Sequence, residues 1–211
     1  KQKLKRPVVL FTSSREGEEV MWLDILQALK DAPLDHQDHI HAVHWLVVPR
    51  HPQRFDEVAA LIEERGWHVS RRSQWTDGLD AEQQDDVNTI WLGDSLGEMA
   101  LYYGLSDLAL LGGSFAPLGG QNLIEAFTCG KPVLIGPHTF NFAQISEDAV
   151  SAGAACRVND AEQLFTQAAR LLAADALRTQ MGSAALDFAA REQGATQRTV
   201  AMLSPMIQVL V

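Results

Sequence analysis

Apolar runs and helical stripes alternate along the chain. PVVLFTSS at 7–14 is apolar with β-branched members and ends in small polar residues, which predicts a strand. EGEEVMWLDILQALK at 16–30 follows it, and Val20, Leu23, Leu26 and Leu29 recur there at helical spacing. The polar, proline-containing stretch 31–40 predicts a loop before a second strand at HAVHWLVV, 41–48. FDEVAALIEERG at 55–66 presents Phe55, Val58, Leu61 and Ile62 on one helical face and stops at Gly66; WHVSRR at 67–72 is a short strand. Polar, turn-rich SQWTDGLDAEQQDD at 73–86 predicts a surface excursion.

The alternation then resumes. VNTIWL (87–92) predicts a strand, SLGEMALYYG (95–104) a short helix closed by Gly104, and SDLALLGG (106–113) a strand stopping at paired glycines. GGQNLIEAFTCG (119–130) and KPVLIG (131–136) repeat the helix and strand, residues 142–151 predict another helix, and AACRV (154–158) a last short strand. Residues 160–194 predict two helices in series, and the tail 195–211 a final helix broken near Pro205.

Runs apolar at every position mark strands covered on both faces, so about six or seven strands with helices between them predict an α/β fold with a Rossmann-like, three-layer parallel sheet. The 211 residues, 46% of them hydrophobic, suffice for one large domain over 7–211, with 1–6 expected to be a linker remnant. Seventeen basic against 27 acidic residues give a net charge of −10, which disfavours a nucleic-acid backbone as partner. No run of 18 apolar residues offers a membrane span, and KQKLKRP at the start lacks the apolar segment of a signal peptide. Cys129 and Cys156 have no CxxC partners and predict two partly buried free thiols. His36, His39, His41 and His44 cluster in sequence, but His41 and His44 have opposite parity on the predicted strand, so no metal is expected.

In an open parallel sheet ligands gather beyond the carboxyl ends of the strands. Five such ends offer chemistry. Gly93, Asp94, Ser95, Leu96 and Gly97 precede a predicted helix whose Leu96, Gly97, Glu98 and Met99 N–H groups can hold a phosphate; alternatively Ser95 is simply its N-cap. Gly112/Gly113 and Gly119/Gly120 suggest that bulky side chains would obstruct a ligand or a neighbouring domain. On a helix beginning near Gly120, Asn122 and Glu125 share a face, and Glu125 either accepts from a ribose diol or complements the helix dipole. Arg50, after Pro49, offers a fork of donors to phosphate, or a structural pair; Arg54 reads as a solvent-facing partner of Asp56 or Glu57. Ser13, Ser14, Arg15 and Glu16 either touch an acceptor or another domain, or form a surface loop; His138 lines the cleft or packs. GxxxxGK[ST] and GxGxxG are absent, which removes the P-loop and the dehydrogenase.

The stretches SSREGEE, VPRHPQRF, LGDSLGEMALYYGLSD, GGSFAPLGGQNLIEAFTCGKPVLIGPHTFNF and EQGATQRT together resemble the carboxyl-terminal domain of 3-deoxy-D-manno-octulosonic acid (Kdo) transferases, over nearly the whole chain. The resemblance implies the donor-binding half of a GT-B glycosyltransferase, its amino-terminal acceptor domain absent. The full-length enzyme would transfer Kdo from CMP-Kdo to the lipid A precursor (lipid IVA) in lipopolysaccharide synthesis, at the cytoplasmic face of the bacterial inner membrane. It places CMP contacts at Pro49, Arg50, Leu96, Gly97, Glu98, Met99, Asn122, Leu123, Ile124 and Glu125. Gln121 stands where the family commonly has histidine, keeping hydrogen-bond capacity without imidazole charge. The family's proposed base is a glutamate of the amino-terminal domain, so no catalytic residue is assigned here and this chain alone is expected to be inactive. Donor binding through one phosphate requires no metal or other cofactor. Two rival readings remain: a UDP- or GDP-sugar glycosyltransferase or epimerase, and a non-catalytic nucleotide-binding regulatory module.

Overall fold

The computed structural model describes residues 4–30, 43–76, 78 and 86–208, with 193–208 as backbone only. The predicted loop 31–40 and most of the predicted surface excursion lie outside the described residues, as do His36, His39 and His41. Seven parallel strands form one sheet in the order β3-β4-β2-β1-β5-β6-β7. In chain order the elements are β1 (Val8–Ser14), α1 (Glu18–Lys30), β2 (His44–Pro49), α2 (Phe55–Glu64), β3 (His68–Arg71), β4 (Thr89–Leu92) and α3 (Met99–Leu105). There follow β5 (Leu108–Leu111), α4 (Ile124–Thr128), β6 (Val133–Ile135), α5 (Ala143–Ser151), β7 (Ala155–Arg157), α6 (Ala161–Ala173) and α7 (Asp175–Gln208).

The unbroken apolar runs are explained by the two cores they serve. On β1, Val9 and Phe11 face a layer with Trp22, Leu23 and Leu26 of α1, while Val8 and Leu10 face Tyr102, Tyr103 and Phe127 on the other side. On β2, Trp45 and Val47 join the first layer and Leu46 and Val48 the second. A strand so placed has no polar face to show. His44, the first residue of β2, is buried as well, stacked on Trp91 with ring centroids 4.4 Å apart. From β1 the chain lays down β2 beside it, then β3 at the edge, and comes back to place β4 between β3 and β2, before crossing to the other side of β1 with β5, β6 and β7. The connections reverse direction between β1 and β5, and a crevice opens there above the carboxyl ends.

Several predicted boundaries shift, for backbone reasons. α3 starts at Met99, not Ser95, because Gly97 has φ +77° and interrupts any earlier helical turn; Ser95 is therefore not its N-cap. Gly104 lies inside α3, which ends where Ser106 turns extended. α4 starts at Ile124 rather than near Gly120, since Gly119 and Gly120 both have positive φ and the Asn122 side chain accepts from the Ile124 N–H at 3.0 Å. Asn122 thus precedes the helix on which Glu125 sits. α7 continues through position 205, where a separate, broken helix was expected. Cys129 and Cys156 are partly buried free thiols.

The paired glycines answer to the chain itself. A Cβ on Gly112 would stand 2.3 Å from the Ser13 carbonyl oxygen, and one on Gly119 would stand 2.2 Å from the Asn141 amide. Close approach of neighbouring backbone and loop already excludes side chains at these two positions.

Candidate functional site

Four strand ends converge on a cleft of about 220 Å³ at the reversal point. β1 contributes Ser13; β2 contributes Val48, Pro49 and Arg50, with Phe55 from the start of α2; the turn after β4 contributes Ser95, Leu96, Gly97 and Met99. Gln121 and Asn122 close it from the loop after β5, and Glu125 from the first turn of α4. Of the residues singled out in the sequence, Pro49, Arg50, Leu96, Gly97, Met99, Asn122 and Glu125 line this one cleft. Glu98 does not: its carboxylate pairs with Arg72 at 2.7 Å and accepts from Ser95. Leu123 is fully buried in the core and Ile124 packs against it, which leaves only their backbone to meet a ligand. His138 is outside the lining; its N–H donates to the Ser114 carbonyl at 3.0 Å.

Arg50 differs from the other arginines of this rim. Arg54, read from the sequence as solvent-facing, is buried, with its Nη1 donating to Glu19 Oε1 at 2.8 Å and its Nη2 to Glu57 Oε1 at 2.9 Å. Arg71 is shared between Asp94 and Asp56, each at 2.7 Å, and Arg72 is held by Glu98. Asp56 therefore belongs to Arg71, not to Arg54. Asp94, whose side chain is 1% exposed, also accepts from the Ser73 N–H and hydroxyl. Burial pushes its carboxyl pKa up, but these donors and Arg71 outweigh it and hold the value below the usual aspartate range. Arg50 is exposed, and among the described residues its guanidinium makes no hydrogen bond or ion pair. It is an uncommitted cation at the mouth of the cleft.

The floor beneath it is made by the ends of β1 and β2. Thr12 pairs with Val48 and Ser14 with Pro49, so Ser13 is skipped in a bulge, with φ +52°, the one non-glycine positive φ among the described residues. The Ser14 carbonyl accepts from the Arg50 N–H at 2.9 Å, and its hydroxyl donates to Glu19 at 2.8 Å. Glu18 and Glu19, at the first turn of α1, are both buried. Glu18 Oε2 accepts from Gly113 and Arg15 N–H groups at 2.7 and 3.0 Å, and its Oε1 from Phe115 and Ala116 at 3.0 and 3.3 Å. Burial raises its pKa against the pull of these four donors.

Sequence reasoning passed over Val48 and Phe55 as lining residues, and over Glu18 and Glu19 entirely. A carboxylate in a first helical turn ordinarily answers the helix dipole, and only the paired Glu-Glu after Gly17 hinted at more. A second, apolar cavity of about 320 Å³ lies between α1, β5 and the start of α6, lined by Phe11, Trp22, Leu110, Phe115 and Leu164 among others. Its lining presents no cation. Among the described residues, no group of three or more His, Cys, Asp or Glu is placed to hold a metal ion, and no helix is long and apolar enough to cross a membrane.

Residues 79–188 match the family model of glycosyl transferases group 1. The chain is 45% identical over 195 residues to a 3-deoxy-D-manno-octulosonic acid transferase of Bordetella pertussis, covering 92% of this chain and 44% of that protein. It is 34% identical over 207 residues to the protein of the same name from Haemophilus influenzae, covering 98% of this chain and 45% of that one. The chain thus spans less than half the length of these relatives. Among solved structures, the C-terminal CMP-Kdo binding domain of WaaA from Acinetobacter baumannii superimposes with a TM-score of 0.73 at 31% identity, covering 87% of this chain and 89% of that one. Anabaena HepE in complex with UDP superimposes with a TM-score of 0.60 at 16% identity, covering 96% of this chain and 50% of that one, a likeness of fold alone.

Proposed function

The chain belongs to the glycosyl transferases group 1 and, among them, to the Kdo transferases, and from that premise we propose that it is the donor-binding half of an enzyme transferring Kdo from CMP-Kdo to the lipid A precursor. CMP lies in the cleft at the sheet's reversal point. Its phosphate faces Arg50 and the backbone N–H groups of the turn from Leu96 to Met99, and the ribose diol is within the province of Glu125 and Asn122. The observation that carries this reading is the free guanidinium of Arg50, the one rim arginine among Arg50, Arg54, Arg71 and Arg72 without an acidic partner among the described residues.

The chemistry follows from that placement. An acceptor hydroxyl attacks the anomeric carbon of Kdo while CMP departs with the bonding electrons. Arg50 and the turn amides favour the reaction to the extent that they hold the phosphate more tightly as its charge grows. Neither Glu98, committed to Arg72, nor Glu125, at the ribose end, is assigned the task of deprotonating the acceptor. That role goes to a glutamate in the other half of the full-length enzyme, which works at the cytoplasmic face of the inner membrane, and this chain alone is inactive. Titration of the chain with CMP, with UDP as competitor, tests the assignment. Preferential binding of CMP is expected, and a clear preference for UDP overturns it.

A further inference from the structure

Glu18 touches nothing in the cleft, yet its carboxylate occupies the concave side of the loop that builds one wall of it. Gly113 is the hinge of that arrangement. Its N–H donates to Glu18 Oε2 at 2.7 Å, and its carbonyl accepts from the Gly120 N–H at 2.6 Å. Gly120 is followed directly by Gln121 and Asn122, both in the cleft lining. Two hydrogen bonds and the short Gly113 backbone therefore connect a buried carboxylate on α1 to the wall around the ligand. The linkage is specific because Gly113 and Gly120 have φ of +71° and +83°, conformations in which a glycine peptide is free to rotate unless something holds it. Phe115 and Ala116, whose N–H groups point at Glu18 Oε1, hold the intervening turn in the same way.

Successive backbone N–H groups turned toward one point make an anion-binding concavity. Here the anion is supplied from within the chain. A fully buried carboxylate with no guanidinium on it among the described residues is costly, and burial does push the Glu18 pKa up. A neutral amide or an apolar side chain would avoid that cost, so a carboxylate at this position points to a need for an acceptor with two oxygens and several lone pairs. We propose that Glu18 is a positioning residue of the donor site: by accepting from Gly113, Phe115 and Ala116 it fixes the loop 113–120, and so sets where Gln121, Asn122 and Glu125 stand, without contacting the ligand itself. The proposal rests on the cleft being the nucleotide site, but it makes a claim about the ligand-free protein as well.

Glu18→Gln keeps the size of the side chain and replaces one accepting oxygen by a donor that confronts backbone N–H groups. In backbone amide spectra of the ligand-free chain, the resonances of Gly113, Phe115 and Ala116 shift, and the shifts extend to Gly120, Gln121, Asn122 and Glu125. Affinity for CMP falls by roughly tenfold, the loss of about one charge-assisted hydrogen bond. A merely stabilising role would lower the unfolding midpoint and leave residues 120–125 and CMP affinity as they were; that result overturns the proposal. If the wild-type chain binds no CMP, the nucleotide reading fails, while the spectra of residues 120–125 still decide for or against Glu18. If Glu18→Gln does not fold, Glu18→Asp, which keeps the charge and shortens the reach by one methylene, is measured in the same way. An unperturbed spectrum at residues 120–125 in the folded variant overturns the proposal.

Discussion

Removing the Arg54 guanidinium, as in Arg54→Met, strands a charge rather than merely deleting a contact. Glu19 is a side chain 1% exposed, and its Oε1 accepts from Arg54 Nη1 and from the Ser14 hydroxyl, while Oε2 has no hydrogen-bond partner among the described residues. Without Arg54 the carboxylate keeps one neutral hydrogen bond and no countercharge. Breaking a buried pair in this way costs about 3–5 kcal/mol. The Glu57 arm contributes far less, because that side chain is 54% exposed and sits three residues on, in the first turn of the helix that Arg54 precedes; exposed pairs of this kind are worth about 0.3–0.5 kcal/mol. Urea denaturation followed by tryptophan fluorescence measures both, since buried Trp22, Trp45 and Trp91 report on the two core layers. Arg54→Met is expected to move the midpoint far to lower urea, and Glu57→Gln hardly at all. Glu19→Gln combined with Arg54→Met should recover a large part of the loss, because it removes the uncompensated charge. An Arg54→Met cost below about 1 kcal/mol, or a double variant no more stable than the single one, refutes the reasoning.

Other outcomes follow from particular residues. Ser13→Gly relieves the left-handed backbone at φ +52° and should raise stability by up to about 1 kcal/mol in the same urea assay, whereas Ser13→Val should lower it. Arg50→Ala should weaken CMP binding by roughly tenfold or more in a calorimetric titration, with the urea midpoint unchanged, since its guanidinium has no partner among the described residues to lose. Asp94 has a folded pKa below its ordinary 3.8. Its contribution to stability is therefore complete above that value and is lost as pH falls through the lower folded one. Acid unfolding curves should show this loss in the wild type and a flatter dependence in Asp94→Asn.

The sheet was legible because burial on both faces leaves a plain mark: strands such as PVVLF and HWLVV carry no alternation, and each of the seven predicted strand segments overlaps a strand of the structure. Helix starts beside the cleft were not legible, because composition does not reveal that Gly97, Gly119 and Gly120 adopt positive φ, and each displaced a helix toward its carboxyl end. The lining from β2 and from the turn after β4 could be located because strand ends and short polar turns are visible in sequence. The buried charges were opaque for a different reason. Glu18, Glu19 and Arg54 look like ordinary solvent-facing residues until their partners are known, and those partners lie up to 98 positions away. A carboxylate's environment is a long-range property, whereas hydrophobic periodicity is a local one.

The middle strand of this sheet is synthesised first, and one of its two neighbours comes late. β1 gains β2 after the intervening helix and loop, but its other edge waits for β5, and the hydrogen bond from the Val8 N–H to Asp107 spans 99 positions. At about 5–20 residues per second, translation leaves that flank unpaired for about 5–20 s. During that interval a nascent chain offers an open, β-branched ribbon to any other strand nearby, which makes β1 the segment on which holding chaperones and misassembly would compete.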